Sequence, residues 1–253
     1  MAGFFDLQGK TALVSGASRG IGRETALCLA RAGADMVLWA RDLNGLGEVA
    51  DEVRGLGRRC HVAVLDVSDR EAVEDATLAA IDAAGAIDIL VVNAGVNELK
   101  PFLDQDSAYW DRMVGINLFG AIHTLRGVGR HMTARKTGSI ITMASIYSFV
   151  GAPGNSIYCL TKGALLQLSK ALAVEWAVHN VRVNAICPGW IETDLTAPYM
   201  TTEKETAAGL RRIPLKRFGK PGDIGPLAVY LAADEAQWIT GQSFVIDGGQ
   251  LAG

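Results

Sequence analysis

Ser15-Gly16-Ala17-Ser18-Arg19-Gly20-Ile21-Gly22 is the stretch on which the fold turns. It follows a short apolar run, Thr11–Ser15, and opens a helical pattern, Ile21–Ala32, that ends at Gly33. Gly16 permits a tight turn between strand and helix, Gly20 lets backbone approach a pyrophosphate, and Gly22 allows close packing of helix on strand. The helix start then offers free N–H groups and positive dipole to phosphates. The spacing differs from G-x-G-x-x-G and lacks the Gly-Lys-Ser/Thr of a nucleotide-hydrolysing loop. At a first strand–helix junction it predicts dinucleotide binding, with an ordinary glycine-rich turn as the plain alternative.

Downstream the alternation continues. Apolar runs at Asp35–Ala40, Cys60–Leu65, Ile87–Val92, Ser139–Ala144, Val181–Ile186 and Ser243–Ile246 read as strands. Between them Leu43–Leu56, Arg70–Ala84, Ser107–Thr133, Ile157–Val178 and Gly222–Ala233 read as helices. Such alternation predicts βαβ units and a parallel sheet covered on both faces. The expected architecture is α/β: one doubly wound Rossmann domain over residues 1–253, with a seven-stranded parallel sheet.

The 253 residues suffice for a large core in one domain. A formal charge of −3 gives no general drive toward nucleic acid or an anionic membrane. The uncharged run between Lys136 and Lys162 is broken by Gly151, Pro153, Gly154 and Asn155, which argues against a membrane span. Met1–Lys10 shows no basic region before an apolar core, so no signal peptide is expected. The scattered Cys28, Cys60, Cys159 and Cys187 read as reduced thiols, and a cytoplasmic location is expected. His61, His123, His131 and His179 lack ligand spacing, so no metal is expected.

Tyr158-Cys159-Leu160-Thr161-Lys162 carries the candidate chemistry. A tyrosine and a lysine four residues apart share a helix face. A nearby ammonium favours the phenolate, and the pair could then exchange a proton with a carbonyl or an alcohol. Alone the motif is common in helices. Its weight comes from its setting.

Taken in order, the motifs resemble those of the classical short-chain dehydrogenase/reductase family along nearly the whole chain. They are Ser15 to Gly22, Asn93-Ala94-Gly95, Asn117 in Gly115-Ile116-Asn117-Leu118, Ser145 thirteen positions before Tyr158, Pro188-Gly189 with Thr193, and Thr240-Gly241 through Asp247-Gly248-Gly249. Ser15 stands for the commoner threonine, and Val92 where many members have a second asparagine. Within the family the 3-oxoacyl carrier-protein reductases and gluconate 5-dehydrogenases are similar.

The resemblance implies roles. Tyr158 would be the acid or base, Lys162 would lower its pKa and bond the nicotinamide ribose, and Ser145 would donate to the substrate oxygen. Asn117 would hold a water linking Lys162 to solvent. The cofactor would lie against Gly16, Ser18, Arg19, Gly20, Ile21, Gly22, Arg41, Asp66, Val67, Asn93, Gly95, Tyr158, Lys162, Pro188, Gly189, Ile191 and Thr193. Asp66-Val67 would meet the adenine, although Asp66, Ser68 and Asp69 also read as helix-cap residues. The position that is acidic in NAD-preferring members is Ala40 here, and Arg41 follows. Arg41 and Arg19 could meet a 2′-phosphate, so NADP(H) is expected to be preferred, with NAD(H) possible.

The stretch from Thr193 to Phe218 is long for a connection and resembles the family's substrate-closing lid, an insertion near residues 190–220. The pocket is expected from Ile146, Tyr147, Val96, Glu98, Asn155, Trp190 and Leu195, a mostly apolar set. The substrate is therefore expected to be a small or medium hydrophobic carbonyl compound or its alcohol. A carrier-bound 3-oxoacyl chain and a sugar acid or polyol are the rivals. An epimerase or dehydratase on this fold, or a non-catalytic dinucleotide sensor, fits less well because Tyr158 and Lys162 are both present. A homotetramer is expected from the helices Ser107–Thr133 and Ile157–Val178 and the C-terminal segment, with Leu165, Leu168, Leu172 and Trp176 as surplus apolar surface.

Overall fold

In the computed structural model, which describes residues 4–253, the apolar runs pair as seven parallel strands. They are β1 (Thr11–Ser15), β2 (Asp35–Ala40), β3 (Cys60–Val64), β4 (Ile89–Val92), β5 (Gly138–Met143), β6 (Val181–Pro188) and β7 (Ser243–Ile246). Their order across the sheet is β3-β2-β1-β4-β5-β6-β7. The first residues of the expected domain, and of Met1–Lys10, lie outside the described ones. From β1 the chain winds to β2 and β3 on one side, then returns to β4 on the other. A crevice opens at the C-terminal ends of β1 and β4, where such sheets bind ligands.

Eight α-helices cover the sheet: α1 (Gly20–Arg31), α2 (Leu43–Gly55), α3 (Arg70–Ala84), α4 (Ser107–Val114), α5 (Gly120–Arg135), α6 (Ser156–Trp176), α7 (Glu203–Arg211) and α8 (Pro221–Ala232). Side chains alternate across β1. Ala12 and Val14 join the core under α1, α2 and α8, while Leu13 joins the one under α3, α5 and α6. Both faces are therefore apolar, which is why the strands read as unbroken hydrophobic runs. Among the described residues no helix is long and apolar enough to cross a membrane.

Most element boundaries agree with the sequence reading to within a residue or two, and the differences that bear on the site are these. Ser107–Thr133 is not one regular helix, because a π-helical turn, Gly115–Phe119, separates α4 from α5. Its cause lies in the site described below. Strand β4 starts at Ile89, because the Ile87 backbone N–H turns to His131 Nε2 at 3.3 Å. The long helix α6 stops at Trp176 and passes through a 3-10 turn to Asn180, which holds φ 53°. Finally, the stretch from Thr193 to Phe218 contains a helix, α7, that the periodicity did not show. None of its residues is buried, so it has no apolar stripe. Its signal is the capping box Thr202-x-x-Glu205.

Helix α1 carries the glycine turn and is pressed against α8 at Gly225. A Cβ placed there would stand 2.5 Å from Cys28 Sγ. Gly225→Ala is expected to cost about 1–3 kcal/mol through overpacking. Thermal unfolding should fall by about 2–4 °C per kcal/mol for a chain of this size. Cys28→Ala in the same chain should restore most of that loss, and additive effects of the two changes would show that this contact is not the cause.

Candidate active site

The glycine turn is tied to the end of β4 by side chains. Asn93 Nδ2 donates to the carbonyls of Ser15 and Gly16, at 3.1 and 3.0 Å. Ser15 Oγ accepts from the backbone N–H groups of Asn93 and Ala94, at 3.0 and 3.2 Å. A Cβ on Gly22 would collide with the Gly16 carbonyl and the Asn93 amide, so this place admits no side chain. Gly16 itself holds φ 67°, the left-handed turn that glycine permits. Helix α1 begins at Gly20, one residue earlier than expected, and points its N-terminus at the crevice.

A cleft of about 470 Å³ runs along this turn. It is lined by Gly16, Ser18, Arg19, Gly20, Ile21, Arg41, Asp66, Val67, Asn93, Gly95 and Thr193. Arg41 follows the end of β2, with its guanidinium 3.4 Å from Asp66, while Arg19 stands 3.4 Å from Asp194 of the lid. Asp42 accepts from the Gly45 N–H at 3.2 Å and so caps α2. Burial works against the charge of Asp66. Hydrogen bonds from Ser68 and the charge of Arg41 nevertheless hold its carboxyl below the usual range. The residue that caps α3 is Asp69, which leaves Asp66 facing the cleft.

The cleft meets a smaller cavity, about 120 Å³, lined by Ser145, Tyr158, Lys162, Pro188, Gly189 and Ile191 among others. Ser145 ends the β5 crossing and accepts from the Tyr147 N–H at 3.1 Å. Tyr158 and Lys162 lie one turn apart on α6, both nearly fully buried. Lys162 Nζ donates to the Met143 carbonyl at 2.7 Å and stands 5.7 Å from the centre of the Tyr158 ring. Burial dominates the electrostatics of the pair. Burial pushes the Tyr158 phenol well above its ordinary range, and the Ser145 hydroxyl opposes this by hydrogen bonding. Burial also pushes Lys162 down, to about 8. Removal from water drives each group toward its neutral form. The Ser145 hydroxyl is thus one protein group that favours the phenolate.

Asn117 explains the π-helical turn. Its side chain points inward between α4 and α5, where Oδ1 accepts from the Val96 N–H at 2.7 Å and Nδ2 donates to the Val96 carbonyl at 2.8 Å. The widened turn brings it there, 21 positions from its partner. Such turns recur at functional sites. These bonds also set which residues after Gly95 face the cavity. Asn97 and Leu99 line it, while Val96 packs with Tyr109, Met113 and Tyr158 and Glu98 pairs outward with Arg112 at 3.1 Å. The expected pocket is corrected accordingly: Val96 and Glu98 leave it, and Asn97, Leu99 and Tyr199 enter. Ile146, Tyr147, Asn155, Trp190 and Leu195 stay.

Comparison with known proteins agrees with this geometry. Residues 16–250 match a family model described as enoyl-(acyl carrier protein) reductase. The chain is 41% identical, over 98% of both lengths, to a 2-dehydro-3-deoxy-D-gluconate 5-dehydrogenase of Pseudoalteromonas atlantica. The chain belongs to the classical short-chain dehydrogenase/reductase family. Solved structures of its relatives superpose closely. One is a gluconate 5-dehydrogenase of Burkholderia cenocepacia J2315 in complex with NADP and tartrate. Its TM-score is 0.95 at 32% identity, with 98% of both chains covered. Another is a carveol dehydrogenase of Mycobacterium avium in complex with NAD. Its TM-score is 0.93 at 30% identity, covering 98% of this chain and 99% of that one. As a member of this family, the chain is an oxidoreductase acting on CH–OH and C=O groups.

Replacing Asn117 in this dehydrogenase/reductase tests what holds the Val96 segment. Asn117→Ala leaves the N–H and C=O of Val96 without their partners. The expected cost is about 2–6 kcal/mol, at about 1–3 for each group left unpaired, with the lower end favoured because Val96 is only part-buried. A melting temperature within a degree of wild type would show that these bonds do not anchor the segment.

Proposed function

We propose that the protein is an NADP(H)-dependent oxidoreductase that interconverts a small or medium, mainly hydrophobic ketone and its secondary alcohol. The observation that carries this reading is the shared cavity. Ser145 and Tyr158 stand in one wall with Leu99, Ile146, Trp190 and Leu195 around them, so a carbonyl meeting both groups has apolar surroundings. Ser145 donates to the carbonyl oxygen, and Tyr158 gives it a proton in reduction or takes one in oxidation. Lys162 holds the Tyr158 side of α6 against β5 through Met143 and presents its ammonium to the ribose. Asn117 sets the Val96 segment beside them.

The cleft residues fit a nicotinamide dinucleotide. Gly22 leaves no Cβ between α1 and the turn, the α1 N-terminus faces the crevice, and Asp66-Val67 border its far end. Bound there, the cofactor supplies or accepts the hydride. Arg41 and Arg19 stand at the cleft for a 2′-phosphate, and Asp42, spent on capping α2, is no rival for the ribose hydroxyls. Pro188, Gly189, Ile191 and Thr193, the last against Gly20, would hold the nicotinamide end. A carrier-bound 3-oxoacyl chain has weaker support. The position before Glu175, often basic in carrier-protein reductases, is Val174, which is exposed.

A homotetramer is the assembly this reading carries. Leu168, Leu172 and Trp176 of α6 line a groove of about 410 Å³ with Ile122, Leu125 and Gly129 of α5. Leu165 belongs to the core rather than to this surface. The free cysteines suit a reducing, cytoplasmic setting.

Turnover of a cyclic or aryl ketone and of an acetoacetyl thioester with NADPH tests the assignment. The ketone should be the better substrate, and Tyr158→Phe should lower turnover by about two orders of magnitude or more while cofactor binding persists. A thioester efficiency more than about tenfold higher, ~1.4 kcal/mol in transition-state binding, would reverse the substrate order. For the cofactor, Arg41→Ala should raise the NADPH KM far more than the NADH KM. Equal effects on both would refute the role of Arg41.

A further inference from the structure

The wall of the substrate cavity holds a polar atom that no group of the protein satisfies. Asn97 and Asn155 stand side by side there, in the lining that also holds Ser145 and Tyr158. Asn155 is buried at the start of α6 and does not cap it. Its Nδ2 donates to the Pro153 carbonyl at 3.3 Å, and its Oδ1 accepts from Asn97 Nδ2 at 3.0 Å. This pairing fixes the orientation of Asn97. Turning the Asn97 amide over would set two carbonyl oxygens against each other. Asn97 Oδ1 is therefore left buried and without a donor.

Proteins rarely leave a buried amide oxygen in that condition, because it has lost water and gained nothing. The backbone around it is held firmly. Val96 is bonded twice to Asn117, and the Leu99 N–H donates to the hydroxyl of Tyr199, on the lid, at 3.1 Å. The freedom left to Asn97 is its terminal torsion, which is broad for an amide. A turn about that bond, which loosens the 3.0 Å bond to Asn155, is what would present the oxygen to the cavity while the backbone stays in place. Leu99, Ile146 and Leu195 make the surroundings apolar, which strengthens a hydrogen bond formed there.

We infer that Asn97 is a specificity-determining residue: its amide oxygen accepts a hydrogen bond from a hydroxyl of the substrate while the reacting carbonyl meets Ser145 and Tyr158. The preferred substrate is thus a hydroxyketone, or the corresponding diol, with an otherwise apolar frame. A carboxylate does not suit this place, since it would face the lone pairs of the amide oxygen. The inference rests on the ketone–alcohol reading above and narrows it.

Cyclohexanones bearing hydroxyl at position 2, 3 or 4 are compared with the matching fluoro ketones, using NADPH. Fluorine is similar in size but donates no hydrogen bond, and its stronger electron withdrawal activates the carbonyl, which works against the expected ratio. At one position at least, kcat/KM should favour the hydroxyl compound by about tenfold or more. In Asn97→Leu that ratio should fall to near one, with cofactor binding kept as the control for folding. A ratio near one at every position in the wild type overturns the inference, and so does a ratio that survives Asn97→Leu. If Asn97→Leu does not fold, the wild-type ratio decides. Fluoro ketones reduced as well as hydroxy ketones would sink Asn97 alone, whereas no reduction of any ketone would sink the functional reading itself.

Discussion

Two hydrogen bonds from the Asn93 side chain, to the carbonyls of Ser15 and Gly16, join the end of β1 to the end of β4. Those strands are neighbours in the sheet but far apart in sequence, and the crevice opens between them. Ser15 returns the tie through its hydroxyl, so serine does at this position what the joint requires of a side chain. Helix α1 starts against the same joint and can approach because Gly22 has no Cβ. The cleft is therefore set by protein–protein contacts before any ligand enters, which is the condition for a preorganised site.

Burial governs the chemistry that this frame supports. Tyr158 packs with Tyr109, Met113 and Tyr147, Lys162 is buried one turn on, and loss of water pushes both toward neutrality. A neutral phenol suits a group that gives a proton to a developing alkoxide. An amine near its own titration point responds readily to a neighbouring charge. The stretch from Thr193 to Phe218 returns beside β6 through the bridge between Ile191 and Gly219, and Phe218 packs near Trp190, with ring centroids 6.1 Å apart. That stretch is thereby joined to the strand end that supplies Pro188 and Gly189. Tyr199 ties it also to Leu99.

The sequence by itself determined the layered α/β fold, the strand–turn–helix at Ser15–Gly22, and the shared face of Tyr158 and Lys162. Each depends on residues close in the chain: apolar runs of strand length, glycines where side chains cannot fit, and a four-residue helical spacing. Tertiary structure decided what depends on contacts between distant segments. The π-helical turn coincides with the bonds that Asn117 makes to Val96, 21 positions away. Helix α7 buries nothing and so left no periodic trace. Asn97 and Leu99, rather than Val96 and Glu98, line the cavity beside Ser145 and Tyr158, where Asn117 and Tyr199 grip the backbone. The charge balance of Tyr158 and Lys162 likewise followed from depth of burial, a property of the packed molecule that spacing along a helix does not encode.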